Sequence, residues 1–106
     1  MPDAKNAGYS SVTEQEFQNT VISLAKTLGY TEIYHTYDSR KSPEGFPDLI
    51  MLRGTRMVVA ELKSEKGVVQ PAQRRWLEAF ALIPGAEVFI WRPHDIDEIA
   101  VILGGA

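Results

Sequence analysis

From Phe17 the apolar residues recur at Val21, Leu24, Ala25 and Leu28, the spacing of one helix face. Ser11 or Thr13 suits the N-cap of that helix, and Gly29 suits its stop. The pattern then changes. TEIYHTYD, residues 31–38, is rich in β-branched and aromatic residues and predicts a strand. SRKSPEGFP, residues 39–47, is loop by composition. Two apolar runs follow, predicting strands over 48–53 and 56–63 joined by a turn at Gly54 and Thr55, after which EKGVVQ reads as a connection. Pro71 suits the first turn of a second helix, running to about Leu82 and stopped by Pro84-Gly85. EVFIW, residues 87–91, predicts a fourth strand, and Asp95 with Glu98 predicts a capping box that opens a third helix.

The predicted order is α-β-β-β-α-β-α. That order is an α/β fold in which helices flank a mixed four-stranded sheet, with a parallel crossover through the second helix. Residues 1–10 show no periodicity and read as a flexible N-terminal tail, and residues 11–106 read as one domain. A chain of 106 residues buries a core without needing staples. It contains no cysteine, which excludes a disulfide scaffold and a thiolate metal site. No apolar run approaches the ~20 residues of a membrane span, and no basic-then-apolar start marks a signal peptide. A cytoplasmic, membrane-free protein is the expectation.

Charge changes the picture locally. The net charge is −3, which argues weakly against nucleic acid. Yet Arg53, Arg56, Lys63, Lys66, Arg74 and Arg75 face only Glu61 and Glu65 between residues 53 and 75, a net +4. Phosphates feel a local patch rather than a total. A solvated surface with uneven charge explains the same count.

Chemistry concentrates in the same segment. Side chains alternate along a strand, so Val59, Glu61 and Lys63 share one face and Val58, Ala60 and Leu62 the other. If the two apolar runs form an antiparallel hairpin about Gly54, Asp48 lies beside Glu61 and Lys63. Two carboxylates are hard oxygen ligands that suit Mg²⁺, and an ammonium beside them can orient hydroxide or offset charge on a phosphoryl transition state. The bland alternative is a surface ion pair of Lys63 with Glu61 or Glu65.

Other polar residues fall on otherwise apolar faces. At about 100° per residue, Glu14 lies roughly 40° from the centre of the first helix's apolar stripe and Glu16 roughly 120° away. Glu14 is therefore expected to face the protein body, where a carboxylate needs a partner, and Glu16 to face solvent. Ser11 with Glu14, or Thr13 with Glu16, would make a capping box, the better account of Glu16. Gln73 heads the stripe Gln73, Trp76, Leu77 and Phe80 of the second helix, where it could bond a site carboxylate or phosphate, or satisfy a backbone group. Arg74 and Arg75 lie off that stripe, Arg40 and Lys41 lie in the loop before Asp48, and Lys66 follows the third strand. All five are candidates for phosphate contact. His35 could approach the site from the preceding strand, and His94 is given no role.

Gly45-Phe46-Pro47-Asp48, then Glu61-Leu62-Lys63, then Gln73-Arg74-Arg75-Trp76 resembles the VRR-NUC domain of the PD-(D/E)XK nuclease superfamily. The likeness runs from about Thr13 to Glu98, and the short chain looks like the small free-standing nucleases of phages and bacteria. The resemblance implies a restriction-endonuclease-like α-β-β-β-α-β core and metal-dependent hydrolysis of DNA. It implies Mg²⁺ or Mn²⁺ on Asp48, Glu61 and the Leu62 backbone carbonyl, with Glu14 as a further acidic group of the first helix. Lys63 would position or activate water, and Gln73 would assist. Products would carry 5′-phosphate and 3′-hydroxyl ends. Branched or structured DNA, Holliday junctions among it, and a homodimer belong to the same expectation. A non-catalytic DNA-binding or assembly protein that keeps the fold is the rival.

Overall fold

The computed structural model describes residues 8–36 and 41–105. Arg40, the predicted strand end at Tyr37 and Asp38, and tail residues 1–7 lie outside them. Residues 8–11 form a turn, and the Val12 N–H donates to the Tyr9 carbonyl at 3.1 Å, so residues 8–10, assigned to the tail, belong to this turn.

Helix α1 spans Glu14–Thr27. Thr13 is its N-cap, and the capping box is Thr13 with Glu16: the Glu16 N–H donates to Thr13 Oγ1 at 3.1 Å, and the Thr13 N–H to Glu16 Oε1 at 3.2 Å. Past the helix end, Gly29 takes φ +96°, a left-handed turn that side chains with a Cβ resist. Strand β1 is Glu32–His35, β2 is Leu49–Arg53 and β3 is Arg56–Leu62. Gly54, at φ +59°, makes the tight β2–β3 turn. Helix α2 is Pro71–Ala81, β4 is Ala86–Trp91, and a 3₁₀ turn at Pro93–Asp95 leads into α3, Ile96–Gly104.

The 3₁₀ turn corrects the predicted cap. Asp95 does not close a box on the third helix: its carboxylate accepts from the Arg92 N–H at 2.8 Å, across the turn set up by Pro93. A proline fixes the turn start, and the nearest orphan amide then lies before the 3₁₀ turn rather than inside α3.

The sheet order is β1-β2-β3-β4, antiparallel except for parallel β3–β4. Helix α2 makes the crossover and packs on β3 and β4. Phe17, Val21 and Ala25 of α1, with Ile99 and Leu103 of α3, bury the opposite face against Leu49, Met51, Val58, Ala60 and Leu62. Each of these side chains larger than alanine contributes roughly 1.5–3 kcal/mol on full burial. That dry face fixes the β2–β3 register, because a slip of one residue would turn its apolar set to the other side.

Candidate active site

The register decides which groups meet. Leu49 pairs with Ala60, so one further step along the antiparallel ladder sets Asp48 opposite Glu61. Opposed residues point to the same face, here the side away from α1, and Lys63 points there too. The hairpin expected from the sequence is the one found. Asp48 Oδ2 accepts from the Leu62 N–H at 2.8 Å, which clips the start of β2 to the end of β3. The Thr36 N–H donates to the Asp48 carbonyl at 3.0 Å and holds the same point from the β1 side. In an extended strand a residue's N–H and C=O point to the same flank. The Leu62 carbonyl therefore faces the flank that Asp48 occupies.

Burial gives the cluster its chemistry. Glu61 is 1% exposed and Lys63 is 7% exposed. Lys63 Nζ lies 3.5 Å from Glu61 Oε2, so the ion pair foreseen as a bland surface contact exists, but inside the protein. Glu65, the other candidate partner of Lys63, binds His94 instead, with Nδ1 to Oε1 at 2.8 Å. Among the described residues Glu61 Oε1 has no hydrogen-bond partner. Desolvation, reinforced by the Asp48 carboxylate beside it, pushes the Glu61 carboxyl up to about 8, and Lys63 only partly opposes this. A buried carboxylate oxygen without a donor is costly, and either a proton or a hard divalent cation offsets that cost. The donor set of Asp48, Glu61 and the Leu62 carbonyl fits such a cation.

The approach to Asp48 is built by close packing. Gly45 takes φ +83°, and a Cβ there would lie 2.4 Å from the Ala72 carbonyl carbon of α2. Only glycine lets the loop touch the helix so closely. Phe46 packs edge-on against Trp76 and Phe80, with ring centroids 5.1 and 6.1 Å away. Trp76 Nε1 donates to the Glu44 carbonyl at 3.1 Å. Gly45-Phe46-Pro47 is thus the anchor that delivers Asp48. Trp76 and Phe80 of the predicted stripe are half-buried and serve this anchor, while Leu77 is the buried residue of α2.

Two expected site groups stand differently. Glu14 is exposed, contrary to its expected place against the body. Its helix face is the apolar one, but the first turn lies ahead of Phe17, the first buried residue, so the carboxylate meets solvent. Among the described residues no three His, Asp or Glu side chains form a metal-sized group, so Glu14 is not gathered with Asp48 and Glu61. Gln73 is half-buried, and its Oε1 accepts from the Gln70 N–H at 2.8 Å, the backbone-satisfying alternative. His35 is half-buried beside Gln18, with Nε2 of the glutamine 3.4 Å from Nδ1.

The positive segment divides. Arg53 Nη1 donates to the Leu28 and Leu103 carbonyls at 3.0 and 2.8 Å, Nη2 bonds the Gly105 carbonyl, and the guanidinium lies over the Tyr30 ring. Arg56 pairs with both Glu87 oxygens at 2.6 and 2.9 Å. Both arginines are structural. Lys41, Lys66, Arg74 and Arg75 are exposed. Sequence reasoning missed Arg92, whose Nη1 donates to the Ser64 and Gly67 carbonyls at 2.7 Å each and reaches the Glu65 carbonyl at 3.3 Å. Nothing local marks it, because its partners lie about 25 residues upstream.

Comparison with known proteins bears on the same residues. No curated protein matches the chain. A solved structure titled VRR_NUC domain protein superposes with a TM-score of 0.64 at 26% identity, covering 86% of this chain and 85% of that one. The VRR-NUC domain model matches residues 8–91, a span that holds the Gly45–Asp48 anchor, the Glu61-Leu62-Lys63 strand end and all of α2, and the chain belongs to the VRR-NUC family.

Proposed function

We propose that this protein is a divalent-metal-dependent endonuclease that hydrolyses phosphodiester bonds in branched or otherwise structured DNA. The observation that carries the reading is the pairing of Glu61, buried with one oxygen unpartnered, with Asp48 across the ladder and the Lys63 ammonium at 3.5 Å. Asp48, Glu61 and the Leu62 carbonyl would hold Mg²⁺ or Mn²⁺. When bound, the metal would polarise a phosphate oxygen and lower the pKa of water.

The chain's own groups do the rest. The Leu62 N–H fixes the Asp48 carboxylate, leaving its other oxygen to the site. Lys63, buried and held beside Glu61, orients the attacking water and offsets negative charge as it grows on the phosphoryl oxygens. Low exposure strengthens both effects, since a charge acts further where water is excluded. Gln73 keeps the first turn of α2 closed behind the Gly45 contact and supports the site from there. Lys41, Lys66, Arg74 and Arg75 are the exposed cations available to hold DNA phosphates. Junction resolution requires two paired cuts, which a two-fold homodimer would supply.

The test is cleavage of labelled four-way junction, flap, splayed-arm, single-stranded and linear duplex DNA. Each is incubated with Mg²⁺, Mn²⁺ or EDTA, beside Lys63→Ala. Metal-dependent cutting lost in the variant is expected, and the substrate cut fastest assigns the DNA structure. Binding without cutting, by folded protein and with either metal, would replace the enzyme with a DNA-binding module.

A further inference from the structure

We propose that Arg92 is a positioning residue for Lys63, acting through the Ser64–Gly67 turn and the close seat of Gly67 on the lysine stem. Lys63 is the residue after β3, and its N–H still bonds the Trp91 carbonyl at 3.0 Å. Beyond it the chain leaves the sheet and turns at once, with the Gly67 N–H donating to the Ser64 carbonyl at 3.1 Å. That turn lies against the lysine. A Cβ added to Gly67 would fall 3.3 Å from Lys63 Cδ, 3.4 Å from Lys63 Cβ and 3.2 Å from Ser64 Oγ. A methyl there would make the lysine's methylenes give by a few tenths of an ångström, so the Gly67 backbone forms a wall along them. With that wall in place the four-carbon stem loses rotamers, and Nζ is kept at Glu61.

Arg92 holds the wall. Its Nη1 carries two hydrogens, and the two 2.7 Å bonds to the Ser64 and Gly67 carbonyls use both, spanning the two ends of the turn. A guanidinium presents these donors in a rigid fork, whereas a lysine at the same place would bring a flexible point charge. The arginine is itself fixed. Its N–H bonds the Asp95 carboxylate at 2.8 Å, and the next residue, Pro93, is buried. A second tie runs alongside, where the His94 N–H donates to Glu65 Oε2 at 2.9 Å and His94 Nδ1 lies 2.8 Å from Glu65 Oε1. The turn after Lys63 is thus latched to the turn after β4 at three carbonyls and one carboxylate. Arg92 touches neither Glu61 nor Asp48 among the bonds observed, so its effect passes through Gly67.

The kinetic arm rests on the nuclease reading, and a second arm does not. Arg92→Met removes the clamp, and Gly67→Ala keeps the clamp but pushes a methyl into the lysine stem. In both, kcat on the best DNA substrate is expected to fall about 10- to 100-fold with KM unchanged, the signature of a misplaced reacting group rather than lost binding. Arg92→Lys is expected not to restore kcat. In the second arm, acetylation of Lys63 by a water-soluble acylating reagent is followed by mass spectrometry on the native protein without DNA. Lys63 is expected to react slowly in the parent protein and several-fold faster in Arg92→Met, with Lys66 as the exposed internal reference. Parent-like kcat and Lys63 labelling in Arg92→Met and Gly67→Ala would overturn the proposal even if the parent enzyme cuts DNA. A parent protein that cuts nothing would overturn the nuclease reading instead, and the labelling arm would still decide whether Arg92 holds Lys63.

Discussion

Glu61 and Asp48 stand opposite one another across the β2–β3 ladder, and among the described residues Asp48 alone of the two takes a backbone donor. Glu61 is a group whose titration the fold moves. Its carboxyl is raised from 4.5 to about 8 by burial first and Asp48 second. A raised folded value means the folded state binds the proton more tightly than the unfolded chain. The contribution to stability is therefore present below about 4.5 and is lost as pH rises to about 8. Metal-free protein is expected to lose thermal stability across that window, and Glu61→Gln to flatten the loss. Mg²⁺ or Mn²⁺ is expected to restore stability at the alkaline end in the parent and not in Glu61→Gln. Thermal melts at several pH values, with EDTA or with metal, read all four conditions.

Gly45 is expected to be as sensitive as a site residue although it carries no side chain. A Cβ there meets α2 backbone at 2.4 Å, and φ is +83°. Backbone cannot step aside as a side chain tip can, so Gly45→Ala must move the loop or the helix. The loop leads in two residues to Pro47 and then Asp48. A loss of about 1–3 kcal/mol in stability is expected from the strained conformation and overpacking. Metal-induced stabilisation is expected to weaken with it, because the Asp48 bond to Leu62 depends on the same anchor. Denaturant melts with and without Mn²⁺ measure both, and a stable variant with full metal response would show the anchor to be unnecessary.

That Asp48, Glu61 and Lys63 come together was legible in the sequence because it is written in strand alternation. Glu61 and Lys63 share a face by parity alone, and the turn at Gly54 sets the register that brings Asp48 to them. Residues whose partners lie far along the chain were not legible. Arg53 and Arg56 raised the local charge count, but they cap the C-terminal carbonyls of α1 and α3 and pair with Glu87, which Arg56 holds below the usual carboxylate range. Glu14 was misplaced for a different reason. A helical wheel gives direction around the axis but not position along it, and the first turn of α1 precedes its first buried residue.

The placement of Glu14 separates it from Glu16 in a measurable way. Glu16 closes the capping box with Thr13, so Glu16→Ala is expected to lower stability, by less than the roughly 0.5–2 kcal/mol of losing the Thr13 cap itself. Glu14 is exposed at the first helical position, and Glu14→Gln is expected to leave both stability and the metal-induced shift in melting temperature unchanged. A metal response lost in Glu14→Gln would return that carboxylate to the ligand set, by a movement of the first turn toward Asp48 on metal binding.

The division of the basic segment predicts which cations DNA feels. Lys66, Arg74 and Arg75 are exposed, while Arg53 and Arg56 are spent on carbonyls and on Glu87. Each phosphate contact adds about 0.9 to the slope of log affinity against log salt on duplex DNA. Replacing Lys66, Arg74 and Arg75 together by alanine is expected to weaken binding at low salt and to lower that slope by up to about 3. Arg56→Ala is expected to leave the slope unchanged while reducing stability, because its loss strands Glu87 rather than a phosphate. Binding is measured in EDTA, without cleavage, over a series of salt concentrations. A slope that falls with Arg56→Ala and not with the triple variant would move the phosphate contacts from Lys66, Arg74 and Arg75 to Arg56 at the start of β3.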